Sequence, residues 1–135
     1  MARKTWREKY ETTADPHIDT MSKSMWGVSA GAKLLISTPK ELEAEVRKIA
    51  PGNTRRPEEI RADLAARHGA DATCPLTTGI FLRIIAEVAL EDLAAGAPLE
   101  DVAPFWRVVD PKSPLAKKLS CGPEFIQNRR LEEVF

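Results

Sequence analysis

Residues 75–95 constrain the fold more than any other part of this sequence. Pro75 suits the first position of a helix and Gly96 suits its end, so the stretch between them is predicted to be one long helix. A wide face of this helix is apolar, and we expect that face to be deeply buried: Ile80, Phe81, Ile84, Ile85 and Val88. Charged residues recur at four-residue steps and are expected on the outer side: Arg83, Glu87 and Glu91.

Two shorter helices are predicted before the long one. The first begins after Thr38, with Pro39 at its first position and Glu41 completing a capping box. It carries an apolar stripe and stops at the pair Pro51 and Gly52; the stripe consists of Leu42, Val46 and Ile49. The second runs from near Pro57 to Gly69, with Ile60 and Leu64 on its apolar side.

The first 36 residues are expected to form an extension that packs on a domain of residues 37–135. Trp6 and Tyr10 can anchor a short helix, and Trp26 is expected to pack on the core. Between them, a stretch rich in Ser and Thr with an Asp-Pro pair is predicted to be a loop. Residues 33–36 form a short apolar run that predicts an edge strand or an extended lead-in.

After the long helix, residues 105–109 are aromatic and β-branched, so they are predicted to be extended. Residues 110–114 contain two prolines and predict a turn, and residues 124–133 predict a last helix. Three helices followed by a strand and a turn are the order of a helix-turn-helix with a wing. The predicted fold class is therefore mainly α with a short strand or wing, a winged helix-turn-helix.

Charge is balanced overall but unevenly distributed along the chain. Lys plus Arg and Asp plus Glu both number 20, so the formal net charge is zero. Residues 1–10 and 105–122 are rich in Lys and Arg, whereas residues 87–101 carry five acids and no base. This uneven distribution of charge has two interpretations: a basic face that binds nucleic acid, or a solvated surface with no polyanionic partner.

The remaining bulk features exclude several classes of protein. The sequence contains no run of about 18 apolar residues and no signal-peptide pattern, so no membrane association is expected. Cys74 and Cys121 make no disulfide framework, which suits the cytoplasm. Together with His17 and His68 they lack the spacing of a zinc site, so we expect no metal and no cofactor.

The segment Pro104-Phe105-Trp106-Arg107-Val108-Val109 resembles the Pro-Cys-His-Arg-Val motif of the O6-alkylguanine-DNA alkyltransferases. The order of helices around it resembles that family's DNA-binding domain from about residue 37 to the end. The string from Cys74 to Phe81 also resembles a branch of small stand-alone proteins in this superfamily. The resemblance implies a winged-helix fold that binds double-stranded DNA.

The chain departs from the family at its reactive positions. Phe105 stands where the family has its nucleophilic cysteine, and a phenyl ring cannot accept an alkyl group. Trp106 replaces the activating histidine. The family's DNA-rotating tyrosine aligns near Pro57 and its arginine finger near Thr77 or Thr78, so neither is kept; Arg83 lies one turn further on.

Alkyltransferase-like proteins, which also lack the cysteine, bind alkylated DNA without repairing it. By this resemblance the chain is expected to be a non-catalytic DNA-binding protein that recognises alkylated guanine and signals DNA repair. The implied DNA- or lesion-binding residues are Thr77, Thr78, Arg83, Pro104, Phe105, Trp106, Arg107, Lys112 and Lys117. Phe105 and Trp106 would line a lesion pocket, and the helix from Pro75 would approach a DNA groove.

Each of these residues also has a purely structural interpretation. Phe105 and Trp106 can belong to the core, and Arg107 can be a buried arginine paired with an acid in the loop of the motif. Thr77 and Thr78 can cap a helix or bind phosphate at its N-terminus, while Lys112, Lys117 and Lys118 can simply solubilise a loop.

Two other functions remain open at this point. A winged-helix scaffold can serve as a protein-interaction module, with the acidic residues 87–101 or the N-terminal extension as the docking surface. A true alkyltransferase would need a relocated nucleophile, and Cys74 at a helix N-terminus is the candidate, with His68 as the nearest base in sequence.

Overall fold

The computed structural model describes residues 4–12 and 14–134, and its longest element is helix α4, Pro75–Ala94. The helix and its limits confirm the prediction from the sequence. Most of its predicted apolar face is buried, but Ile80 is 51% exposed and Glu87 is buried. The sequence predicted that Ile80 is buried and Glu87 exposed, so both predictions are wrong. Neighbouring elements cover the side that carries Glu87 and leave the first turns of α4 open on the side of Ile80.

Two shorter helices pack against the long one, as predicted. Helix α2 spans Pro39–Arg47 and helix α3 spans Pro57–His68. Gly69, in the left-handed conformation, caps the C-terminus of α3. Their apolar stripes are buried: Leu42, Val46, Ile60 and Leu64.

The start of α2 differs in part from the predicted capping box. Thr38 accepts a hydrogen bond from the Glu41 backbone N–H, which confirms the cap. The Glu41 carboxylate does not complete the box. It lies 2.5 Å from the Ser37 hydroxyl and 2.5 Å from Nε2 of His68, so it links the start of α2 to the end of α3.

A three-stranded sheet lies beside these helices, in the order β1, β2, β3. Strand β1 (His17–Thr20) pairs antiparallel with β2 (Lys33–Ile36), which pairs parallel with β3 (Ala72–Thr73). Residues 33–36 form a strand, which confirms that part of the prediction, but its expected position at an edge is wrong because β2 is the central strand. One of its neighbours, β1, lies in the segment that was predicted to be a loop, and no sequence pattern indicated this strand.

The N-terminal extension packs on the domain through helix α1, Trp6–Glu11. Arg7 forms an ion pair of 2.5 Å with Asp92 of α4, and the Arg83 guanidinium lies 5.1 Å from the centre of the Trp6 ring. Trp26 does not pack on the core as expected, because 47% of its surface is exposed.

The segment after α4 is helical rather than extended. Short 3-10 helices cover Leu99–Asp101 and Phe105–Arg107, followed by α5 (Pro114–Lys118) and α6 (Gly122–Val134). The predicted strand at residues 105–109 is therefore wrong, because helices surround this segment and its carbonyls bond within the turn and to α6. The predicted turn and last helix are present.

The fold is thus mainly helical with a small three-stranded sheet. No helix within the two described ranges is long and apolar enough to cross a membrane.

Candidate nucleic-acid interface

Residues 104–109, which carry the family resemblance, lie inside the protein. Phe105 is 0% and Trp106 2% exposed, and Pro104 is buried as well. The ring centres of Phe105 and Trp106 are 5.4 Å apart in an edge-to-face contact, and Phe105 stacks on Phe125 of α6 at 6.0 Å. These aromatic side chains therefore form core packing rather than the wall of an open pocket.

One carboxylate on α6 holds this segment in place. Glu133 accepts a hydrogen bond from the Trp106 indole at 2.9 Å and forms an ion pair with Arg107 at 2.5 Å. Arg107 also donates to the Ile49 carbonyl at 2.7 Å. Burial alone would raise the pKa of Glu133, but the bonds from Arg107 and Trp106 outweigh it and lower that pKa.

Arg107 therefore matches its structural interpretation, with one change of partner. The acid comes from α6 and not from the loop of the motif. All three nitrogens of its guanidinium donate to Glu133 or to the Ile49 carbonyl, and only 12% of its side chain is exposed. Contact with a DNA phosphate would need these bonds to break.

Arg130, also on α6, fastens the other end of the segment. Its guanidinium donates to the carbonyls of Trp106 at 2.6 Å and Val109 at 3.1 Å. Burial lowers the pKa of Arg130, and the nearby charge of Asp110 partly offsets that effect.

The first turn of α4 uses its threonines internally. The Thr78 hydroxyl is buried and donates to the Cys74 carbonyl at 2.7 Å, and Thr77 makes a longer bond of 3.4 Å to the same atom. Cys74 itself is buried at the helix cap. An alkylated base cannot reach that thiol without a change in the structure around it.

The first turns of α4 expose an apolar ridge formed by Leu76 and Ile80. These side chains are 63% and 51% exposed, and their four-residue spacing places them one above the other on the same face. Isolated exposed apolar residues are common, but two adjoining ones on a helix start are a candidate contact surface.

A groove of about 500 Å³, here called the arginine groove, lies along one side of this ridge. Its floor includes Thr78, Gly79 and the end of the 104–109 segment, Val108 and Val109. Four arginines line it, together with the acids Glu58 and Asp110: Arg55, Arg56, Arg61 and Arg130. The side chains of Arg55, Arg56 and Arg61 extend from the start of α3.

The arginines of this groove differ in how firmly they are held. Arg55 pairs with Asp63 and Arg56 with Glu59, in both cases with one strongly exposed partner, so these pairs contribute little and exchange readily. Within the described parts of the chain, no acid lies within ion-pair distance of Arg61.

A second, smaller depression adjoins the arginine groove, with which it shares Pro75, Gly79 and Leu115, and it extends to the ridge residues Leu76 and Ile80. It is also lined by Arg83 and Lys118, and exposed Lys117 precedes Lys118 on α5. The apolar ridge therefore lies beside two adjoining depressions with cationic walls.

The structure places Lys112 apart from the other predicted contacts. Its backbone N–H donates to the Asp110 carboxylate in the turn after the motif, and its side chain lines a separate depression against α6. Of the predicted residues, Thr78 lines the arginine groove and Arg83 lines the smaller depression that adjoins it.

Residues 55, 56, 61, 76 and 130 were not predicted as site residues. The Arg-Arg pair before Pro57 was the signal available, since it stands immediately before a predicted helix. As for metal or cofactor ligands, the described residues contain no group of three or more His, Cys, Asp or Glu placed to hold a metal ion.

Comparison of the chain with protein-family models, curated proteins and solved structures gave no match in any of the three.

Proposed function

We propose that this chain is a non-enzymatic DNA-binding protein whose helices α3 and α4 act as a helix-turn-helix. The observation that carries the proposal is the exposed ridge of Leu76 and Ile80 beside two adjoining depressions with cationic walls. Phosphates follow the edges of a DNA groove, so a helix with exposed apolar side chains and cations beside them suits contact with the groove and its phosphates.

The apolar top of the ridge favours the minor groove. Proteins that bind there often insert leucine or isoleucine between base steps and contact the adjacent phosphates with arginine or lysine. In this proposal Leu76 and Ile80 form the wedge. Arg61, Arg83 and Lys118 contact the phosphates beside it.

The family resemblance suggests alkylated guanine as the preferred lesion. Because Phe105 and Trp106 are buried, recognition of the lesion is assigned to the arginine groove, whose floor includes Val108 and Val109. No alkyl transfer is proposed, since Phe105 replaces the acceptor and the Cys74 thiol is buried. Binding would then mark the lesion for repair.

The experiment is fluorescence anisotropy with a labelled 16-base-pair duplex, with and without one O6-methylguanine. We expect micromolar or tighter affinity at low salt that weakens steeply as salt rises, and tighter binding of the methylated duplex. Negligible binding of both duplexes at low salt would overturn the proposal. Equal binding of the two would remove the lesion preference and leave DNA binding.

A protein-interaction module is the second candidate, because an exposed apolar ridge also suits a protein partner. The acidic residues 87–101 are a weaker docking surface than the sequence suggested. Glu87 is buried and accepts two hydrogen bonds from Ser120, and Asp92 is paired with Arg7. The cationic walls beside the ridge favour DNA over this alternative.

A further inference from the structure

The turn between β1 and β2 presents a tryptophan in an unusual backbone conformation. Met25 and Val28 exchange two backbone hydrogen bonds of 2.9 and 2.8 Å, which closes a two-residue loop of Trp26 and Gly27. Both loop residues have positive φ, 56° for Trp26 and 75° for Gly27, as a type I′ turn requires.

Local stability does not explain a tryptophan at this position. The first residue of such a turn is normally Asn, Asp or Gly, because a bulky side chain is strained in the left-handed region. Within the described ranges, Trp26 is the only residue other than glycine with positive φ, and its ring is half exposed. Strain of this kind, with an exposed ring, is typical of a residue retained for binding.

Trp26 forms one wall of a second groove, here called the alanine groove, with a volume of about 580 Å³. Its floor is made of small side chains from the end of α3 and the following turn: Ala62, Ala65, Ala66, Ala70 and Ala72. The alanine groove shares Glu58, Arg61 and Pro75 with the arginine groove, so the two depressions adjoin at the start of α4.

We propose that the alanine groove receives one unpaired nucleotide of the bound DNA, with its base stacked on the Trp26 indole and its phosphate on Arg61. This inference rests on the proposed function, since the nucleotide belongs to the duplex held by α4. An indole face stacks on any base, and the small side chains of the floor leave room for a flat ring.

The polar groups of the groove match the rest of a nucleotide. Arg61 lies where the two grooves adjoin and has no acidic partner in the described chain, so it can bind the phosphate. The carboxylates of Glu58 and Asp71 line the groove and accept hydrogen bonds from the amino groups of a base. In this arrangement the hairpin of β1 and β2 acts as the wing, a role that the sequence assigned to residues 105–114.

The test compares anisotropy titrations of two labelled duplexes, one fully paired and one with a single bulged adenine. The central variant is Trp26→Asn, which removes the ring and replaces it with a residue that the turn favours, so the fold is retained. We expect Trp26→Asn to weaken binding of the bulged duplex by about tenfold, and of the paired duplex by less than about twofold. Trp26→Phe, which keeps an aromatic face, is expected to retain most of the affinity.

The matched control is Ile18→Asn, because Ile18 lies on the same hairpin and is exposed to a similar extent (43%). It is expected to bind both duplexes as the unaltered protein does. If the unaltered protein binds the paired duplex and Trp26→Asn changes neither affinity, this inference is overturned while the proposed function stands. If the unaltered protein binds neither duplex, both are overturned.

Discussion

Residues 104–109 and the first turns of α4 lie close together and differ in almost every physical respect. Residues 104–109 are buried, and Glu133 and Arg130 of α6 hold them through six side-chain hydrogen bonds. The first turns of α4 expose Leu76 and Ile80 beside cationic walls that few internal bonds fix.

This difference separates the segment that resembles a DNA-repair motif from the surface that we propose contacts DNA. A motif whose polar side chains are all satisfied internally stabilises the fold. A ridge with exposed apolar groups and available cations can gain binding free energy when a partner buries the apolar groups and pairs with the cations. The predictions that follow should therefore divide into effects on stability and effects on binding.

The largest expected effect is on stability, from Phe105→Ala. Removing this fully buried ring should lower the free energy of unfolding by about 3–5 kcal/mol, because it leaves a cavity next to Trp106 and Phe125. Urea unfolding followed by circular dichroism measures it. Phe105→Leu is the control and should lower the free energy of unfolding clearly less. A decrease below about 1 kcal/mol for Phe105→Ala would contradict the placement of Phe105 in the core.

Glu133→Gln should lower the free energy of unfolding by about 2–3 kcal/mol at neutral pH, because it leaves the Arg107 charge without its counter-ion in a mostly buried site. The pKa of Glu133 is lowered in the folded state, so its stabilisation is complete above its ordinary pKa of 4.5 and is lost as pH falls through the lowered value. The variant should therefore differ most from the unaltered protein near pH 7 and least in strong acid. Unfolding curves across pH 2–7 that run parallel for the two proteins would contradict this account.

Leu76→Ala combined with Ile80→Ala should change stability little and weaken duplex binding by about tenfold or more. The matched control is Leu131→Ala with Val134→Ala on α6, where the two side chains are 49% and 65% exposed. The control should bind normally. If both double variants bind alike, the ridge is not the contact surface.

The smallest expected effect concerns single phosphate contacts. Replacing Lys117 or Lys118 by Gln should weaken binding by less than about tenfold and reduce the slope of log affinity against log salt by about one. The same replacement at Lys112, which lies apart from the ridge, should leave that slope unchanged. An unchanged slope for all three would remove α5 from the interface.

The helices could be predicted because their signals are local. Thr38, Pro39, Pro57, Pro75 and the glycines at helix ends mark boundaries through capping and backbone geometry alone. The sheet was harder, because β3 has only two residues and β1 exposes every side chain, so neither shows alternation of apolar and polar residues.

Errors in the candidate site came from side chains whose surroundings are set by distant parts of the chain. Ile80 continues an apolar helical face, yet no described residue covers its side of α4. The sequence predicts that Glu87 is exposed, yet it is buried and accepts hydrogen bonds from Ser120, 33 residues away. The aromatic residues 105 and 106 favour a strand by composition. Tertiary packing against α6 overrode that preference.

The central claim is that DNA contacts the ridge and its cationic walls and leaves the buried motif undisturbed. A two-dimensional amide NMR titration with an unlabelled 16-base-pair duplex tests it most directly. The account predicts the largest shift changes at residues 54–61, 75–83 and 115–118, with residues 104–107 nearly unchanged. Dominant changes at residues 104–107, or on the acidic surface of residues 91–101, would contradict it.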